Sequence, residues 1–228
     1  MCGRYTLATN QEQLQGRFSF QGDNLVIQPR YNVAPTQEVL TVTSSDEGQN
    51  RAEYMRWGLI PSWAKDMSVG SRMINARAES LAEKPSFRRA LQKRRCLVLA
   101  DGFYEWKSAG KNKTPFYVAL RTREPFGMAG LWETWKAPSG EWVHSCTIIT
   151  TRCNALIEPI HNRMPVVLSQ ETEIAWLDQD ISDPGFLMEL LGPYPSEEME
   201  AYPVSTLVNS PANETPECIA PAGQQLRV

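Results

Sequence analysis

Apolar and polar residues alternate along much of this chain with the period of two that marks a half-buried strand. Residues 38–43 alternate and are rich in β-branched side chains, so they read as a strand. Residues 54–60 read likewise, until Pro61-Ser62-Trp63 breaks them into a loop. A compact apolar run at 96–100 ends at Asp101-Gly102, and 114–120, 126–132, 143–150 and 164–168 are four more strand candidates. Helical signals are fewer and shorter. Thr9-x-x-Glu12 reads as a capping box that opens one helix. Residues 86–95 put Phe87, Ala90 and Leu91 on one face and Arg88, Arg89, Lys93, Arg94 and Arg95 elsewhere, as a solvated face or a phosphate-binding one. Ser169 caps a helix that runs through Leu177. Asp183-Pro184 starts another, with Asp at the N-cap and Pro in the first turn, and Pro193 and Pro195 close it. Many strands with a few peripheral helices, never in regular β-α alternation, predict an α+β fold over a doubly wound sheet. No repeat or low-complexity linker divides the 228 residues, which read as one domain.

Composition narrows the setting. Apolar residues make up 42% of the chain, enough for a real core, yet no run approaches the roughly 20 residues a membrane helix needs. Met1-Cys2-Gly3-Arg4 lacks the basic and long apolar regions of a signal peptide, so a cytoplasmic protein is expected, nucleoid-associated if the source is bacterial. The five cysteines, at 2, 96, 146, 153 and 218, show no metal spacing. A Cys146–Cys153 pair is conceivable. The preferred reading of Cys96, Cys146, Cys153 and Cys218 is isolated small hydrophobes in a reducing compartment. With no Walker loop and no GxGxxG either, no metal or organic cofactor is expected. The net charge of −3 hides an asymmetry. Residues 164–228 hold eleven acidic residues against one basic, Arg227, a net −10; residues 1–163 hold 22 basic and 15 acidic, a net +7. A basic face that holds a polyanion is therefore possible, unless the two sets of charges intermix in space.

Position two is an odd place for a core residue, because termini usually fray. A small second residue makes Met1 an aminopeptidase substrate. Once Met1 is gone, Cys2 carries an α-amine and a thiol on adjacent carbons. The amine adds to an aldehyde to give a Schiff base, and the thiol closes on the same carbon as a thiazolidine. An α-amino pKa of about 7.7–8.0 leaves roughly a tenth to a fifth of the amine neutral at pH 7. An inert cysteine beside a processed terminus is the plainer alternative. Three polar residues in short distinctive segments stand beside it. Asn75 lies in Ile74-Asn75-Ala76-Arg77-Ala78-Glu79, Glu105 in Asp101-Gly102-Phe103-Tyr104-Glu105-Trp106, and His161 in Ile160-His161-Asn162-Arg163-Met164-Pro165. Glu105 follows an apolar strand between two aromatics, where partial burial raises a carboxyl pKa; an exposed strand-end carboxylate is the alternative. His161 falls in an apparent loop, catalytic or structural. His144, in a strand pattern, reads as structural or exposed.

These segments, with Met1-Cys2-Gly3-Arg4-Tyr5, Arg30-Tyr31-Asn32-Val33-Ala34-Pro35 and Arg56-Trp57-Gly58-Leu59-Ile60-Pro61, resemble in order the SRAP family, the SOS response-associated peptidases also called abasic-site processing proteins. Each motif alone is weak; six in order over essentially the whole chain are specific. The resemblance implies a single α+β domain over 1–228, with a β-rich, barrel-like core, peripheral helices, a basic groove and the acidic C-terminal part inside the same domain. It implies that Cys2, freed of Met1, forms a thiazolidine crosslink with the ring-opened sugar of an abasic site in single-stranded DNA. Asn75 would then hydrogen-bond around the Cys2 amine and the sugar, Glu105 would shuttle protons, and His161 would help open the sugar and reverse the bond. Arg4, Arg77 and Arg163 would meet phosphates, and Trp63 would stack on a base unless it packs in the core. The family pattern usually carries an acidic residue after the histidine; Asn162 stands there and puts the pKa of His161 and the reversal rate in doubt. A monomer is expected. The rival readings are a thiol peptidase with Cys2 as nucleophile and His161 as base, for which self-removal of Met1 could be the only cleavage, and a noncovalent module for single-stranded DNA. Strand cleavage by a β-lyase step could accompany crosslinking.

Overall fold

The computed structural model describes residues 2–21, 25–45, 48–110 and 112–226. In chain order the regular elements are β1 (Tyr5–Leu7), α1 (Gln11–Phe18), β2 (Phe20–Gln21), β3 (Arg30–Val33), β4 (Glu38–Ser44), β5 (Asn50–Trp57), β6 (Asn75–Arg77), α2 (Pro85–Lys93), β7 (Arg95–Ala100), β8 (Gly102–Ala109), β9 (Asn112–Leu120), β10 (Phe126–Lys136), β11 (Trp142–Arg152), β12 (Arg163–Pro165), α3 (Gln170–Leu177), α4 (Pro184–Glu189) and β13 (Met199–Pro203). The expected α+β class, with many strands and few peripheral helices, is what the chain adopts.

Strands β11, β10, β7, β4 and β5 pair in that order. β5 then returns to β11 through a short parallel contact, Arg56 with Ser145 and Trp57 with Cys146, and closes five strands into a barrel. Closure removes the exposed edges of an open sheet. The eleven residues of β11 serve further partners: β6 pairs with it in parallel, Asn75 opposite Ile148, and β12 pairs antiparallel, Arg163 opposite Arg152. A second sheet runs β13-β9-β8-β1-β3 and carries the N-terminal strand between β8 and β3. Every residue of β7 is buried, since α2 and α3 cover the face that looks away from the barrel.

Local signals hold where their chemistry is self-contained. Ser169 and Asp183 cap α3 and α4 as expected, accepting from Thr172 and Phe186 N–H groups at 3.3 and 2.8 Å. Elsewhere tertiary partners win. The cap of α1 is Asn10, whose Oδ1 accepts from Gln13 N–H, because Thr9 is taken by the Asp101 carboxylate. β5 lies upstream of the expected 54–60. It stops at Gly58, which has φ 129° and packs so closely on Gly70 that a Cβ would meet that residue's carbonyl oxygen at 2.6 Å. Residues 166–168 leave the expected strand, with one bridge, Val167 to Met128.

Arg95 also departs from expectation. It opens β7 rather than closing α2, and it is fully buried. Its guanidinium donates to the carbonyls of Leu91 and Gln92 at the end of α2, and of Trp176 and Asp178 at the end of α3. Two helix C-termini leave carbonyls without partners and a negative dipole end, and one buried cation satisfies both. Arg95 is therefore no part of a phosphate-binding face.

β8 is an element that the Asp101-Gly102 pair concealed. The chain turns a corner there and resumes as a strand, pairing Gly102 with Thr6 and Phe103 with Tyr5. A Cβ on Gly102 would lie 2.2 Å from the Tyr117 ring and hydroxyl. Gly102→Ala is expected to lower stability by about 2 kcal/mol through overpacking, read as a fall in urea midpoint at unchanged slope.

Candidate active site

β8 and the start of the chain build one side of the site. The Asp101 carboxylate accepts from Thr6 Oγ1 at 2.5 Å and from Ala8 and Thr9 N–H at 2.6 and 2.8 Å, which pins the exit of β1. Toward the N-terminus, Tyr104 N–H donates to the Arg4 carbonyl at 2.9 Å, so pairing runs on past Tyr5. Cys2 is thereby drawn into full burial, with its Sγ 4.0 Å from the Arg4 carbonyl.

β6 builds the other side. Trp57 Nε1 and Ile148 N–H both donate to the Ile74 carbonyl, at 2.8 and 3.1 Å, and fix the residue before Asn75. From there Asn75 Nδ2 donates to the Cys2 carbonyl at 2.8 Å. The Oδ1 of the same amide is buried and has no hydrogen-bond partner among the described residues. An orphaned buried acceptor costs stability, so its place beside Cys2 points to a donor that arrives with the chemistry.

Glu105 lies inside β8 and is 2% exposed, so it is no strand-end carboxylate. Burial pushes its carboxyl up to about 7. Cys2 lies within reach of that charge: burial first, and the negative Glu105 second, push its thiol far above the ordinary range. Cys2, Asn75 and Glu105 thus form one group, drawn from segments 30 to 103 residues apart in the chain.

His161 follows a tight turn, closed by its N–H on the Ile157 carbonyl at 2.9 Å, and stands at the head of β12. β12 and β6 meet the same stretch of β11: Thr150 pairs with both Arg77 and Pro165. His161 Nδ1 lies 3.0 Å from the Arg163 N–H and 3.1 Å from the Arg163 carbonyl, so the backbone of Arg163 holds the ring and leaves Nε2 the nitrogen turned away from it. Burial lowers the His161 pKa, and Asn162, exposed and uncharged, supplies no carboxylate to oppose it.

The four residues read as binding groups fare differently. Trp63 is 67% exposed, so it does not pack in the core; its loop is tied down by Trp135 Nε1 donating to the Ala64 carbonyl at 2.7 Å. Arg77 is exposed at the end of β6. Arg163 Nη1 and Nη2 grip the Glu79 carboxylate at 2.6 and 3.0 Å, and Nη2 also reaches the Thr150 carbonyl. Arg4 turns inward to Asn32 and Val208. Sequence reasoning gave no role to Glu79 or Asn32, although both stand in the motifs quoted above, because a motif does not name its partners.

Outside this group, His144 binds Glu53 at 2.7 Å on a half-exposed face, in keeping with the structural or exposed reading. All five cysteines are free thiols, and Cys96, Cys146 and Cys218 are buried, as expected of small hydrophobes. A cleft of about 500 Å³ lies elsewhere, lined by residues that include Phe18, Asn50, Glu173 and Ile174; no predicted site residue borders it.

The family model for SRAP, SOS response associated peptidase, matches residues 1–211. The chain belongs to that family. Among its relatives, the abasic site processing protein YoqW of Bacillus subtilis is 48% identical over 225 residues, covering 96% of this chain and 99% of that protein. The abasic site processing protein HMCES of Xenopus tropicalis is 33% identical over 229 residues, covering 87% of this chain and 68% of that one. Among solved structures, a Bacteroides thetaiotaomicron protein superposes with a TM-score of 0.88 at 31% identity, covering 97% of this chain and 100% of its own. A Bordetella bronchiseptica protein gives 0.78 at 25% identity, covering 90% of this chain and 100% of its own.

Proposed function

We propose that this protein processes abasic sites in single-stranded DNA by a covalent bond from Cys2. The observation that carries the reading is the juxtaposition of Cys2 with the Asn75 amide, 2.8 Å from its carbonyl, and with the buried carboxyl of Glu105. The names of its relatives, as abasic site processing proteins, give the substrate class.

The chemistry balances without a cofactor. Loss of Met1, by an aminopeptidase or by the protein's own action, gives Cys2 a primary amine. His161 assists ring opening of the abasic sugar to its aldehyde. The amine adds to the aldehyde carbon, and the resulting carbinolamine loses its hydroxyl as water. Glu105, close to half protonated at neutral pH, supplies the proton for that departure. The Cys2 thiol then adds to the iminium: sulfur bonds to carbon, the C=N electron pair goes to nitrogen, which already carries its hydrogen, and the thiol proton returns to the Glu105 carboxylate. One water is released overall. Asn75 Oδ1 accepts from the Cys2 amine and aims it. A β-elimination from the imine, cutting the strand, competes only until the ring closes.

The raised thiol pKa favours this order over a thiol peptidase. A peptidase nucleophile needs a stabilised thiolate beside a cation. At Cys2, burial and the Glu105 carboxylate outweigh the N-terminal ammonium, so the thiol is pushed up and the thiolate is not stabilised. The test mixes purified protein with single-stranded DNA bearing one abasic site and resolves the products on a denaturing gel. A heat-stable band at the summed mass, missing with undamaged DNA, is expected; repeated turnover of peptides with no such band would overturn the reading.

Phosphate binding has its own signature. Glu79 occupies Arg163 as a phosphate would, and that hydrogen bond lowers the Glu79 pKa. Glu79→Gln is expected to tighten binding to undamaged single strands. It should also steepen the fall of log K with log salt by about 0.7, the release expected for one more phosphate contact.

A further inference from the structure

The segment from Ser205 to Glu214 lies outside the chemistry described above, yet it is fastened to β3, to Arg4 near Cys2 and to Trp106 beside Glu105. Asn32 is wholly buried, and its Nδ2 donates to the carbonyls of Val208, Ser210 and Asn213 at 3.3, 2.9 and 2.7 Å. The Glu214 carboxylate accepts from Tyr31 and Asn32 N–H at 2.5 and 2.7 Å and from Arg30 Nε at 3.0 Å. Arg4 Nη1 donates to Asn32 Oδ1 and to the Val208 carbonyl, both at 2.6 Å. Finally, Trp106 Nε1 donates to Asn209 Oδ1 at 2.8 Å, and the Arg4 guanidinium lies over the Trp106 ring, 5.8 Å from its centre.

Val208 and Asn209 are neighbours on one short turn, Thr206–Asn209. Through them a single rigid point holds Arg4, two residues from Cys2, and Trp106, next to Glu105. We propose that this C-terminal strap, with Arg4 and Asn209 as its positioning residues, sets the placement of Cys2 against Glu105, and that Arg4 works as a latch rather than as a phosphate contact. The inference rests on the covalent reading above. It follows from directionality: two short bonds commit one end of the Arg4 fork to internal acceptors, and the face of the fork is spent on an aromatic ring. Partial burial lowers the Arg4 pKa, in keeping with a cation turned into the protein. A reaction that joins two groups on separate segments is sensitive to small errors in their separation.

Single-turnover crosslinking of the mature protein, followed over a range of abasic DNA and salt concentrations, separates the two roles of Arg4. Arg4→Gln and Asn209→Leu are expected to lower the limiting rate about tenfold. The half-saturating DNA concentration and the salt slope should not move. Asn209→Asp keeps the acceptor for Trp106 and should stay within about twofold of the parent, a change too small to reflect a lost hydrogen bond. Amide exchange in the N-terminal peptide should quicken in Arg4→Gln and Asn209→Leu only. A higher half-saturation and a flatter salt slope for Arg4→Gln, at unchanged limiting rate, would make it a phosphate contact and end the proposal. So would parental rate and exchange in Asn209→Leu, or an Asn209→Asp as slow as Asn209→Leu. Should Arg4→Gln not fold, Asn209→Leu, an exposed site, decides alone. If the parent protein forms no crosslink, the covalent reading falls, while the exchange comparison still judges the latch.

Discussion

Cys2→Ala is expected to lower the yield of heat-stable DNA adduct by at least about a hundredfold while leaving the fold intact. The variant removes only Sγ from a buried position, a change of about 1 kcal/mol at such a site. Its α-amine remains, since alanine at position two is also freed of Met1. The Schiff base can therefore still form, but nothing closes on it, and the imine hydrolyses during heating. Borohydride reduction before denaturation should recover an adduct from Cys2→Ala, because it traps the imine that the thiol otherwise captures. Strand cleavage should rise in parallel, as the imine persists long enough to eliminate. A noncovalent single-strand binder would show no adduct from either protein, reduced or not. A thiol peptidase would lose peptide cleavage in Cys2→Ala with no change in DNA chemistry. Full heat-stable adduct from Cys2→Ala would place the bond on another residue and end the Cys2 mechanism.

How much of this was legible in the sequence depends on how local each cause is. Ser169 and Asp183 cap helices with bonds to residues three positions on, and the sequence carries both partners. Thr9 carried the same signal and lost its role to Asp101, 92 residues away, which no local pattern reveals. Asp101-Gly102 looked like the end of a strand. The glycine is there because Tyr117 crosses above it, and a strand resumes at once. Burial of Glu105 between two aromatics, and the raised pKa that goes with it, were legible beside the strand-end alternative; the strand β8 that buries it was not. Charge was visible and its destination was not: Arg95, Arg4 and Arg163 all look like free cations in the sequence, and each is committed to acceptors of its own chain. The Cys2–Asn75–Glu105 group has no periodicity or spacing to betray it. The order of its motifs pointed to it, and the barrel closure that sets β6 against β11 explains why distant segments meet.

Glu105→Gln is expected to slow crosslinking and to stabilise the protein, with opposite demands on one side chain as the cause. In the folded state the carboxyl sits at about 7 against an ordinary value of 4.5. Between those values the folded protein holds a proton that the unfolded chain has released, so stability falls as pH rises from about 4.5 to about 7 and stays low above it. The full deficit is about 3 kcal/mol. Glutamine is neutral at every pH and escapes it. The urea midpoints of the two proteins should coincide near pH 4, diverge through that window in favour of the variant, and run parallel above pH 7. The variant can neither give a proton to the departing hydroxyl nor take one from the closing thiol, and the limiting crosslinking rate should drop about a hundredfold, the lower end for general acid–base catalysis. Such a site holds strain for function, as catalytic groups commonly do. Equal midpoints at pH 8 would mean that Glu105 is compensated as an anion, and its place as the proton carrier would pass to His161, whose imidazole is the other group able to move a proton in both directions.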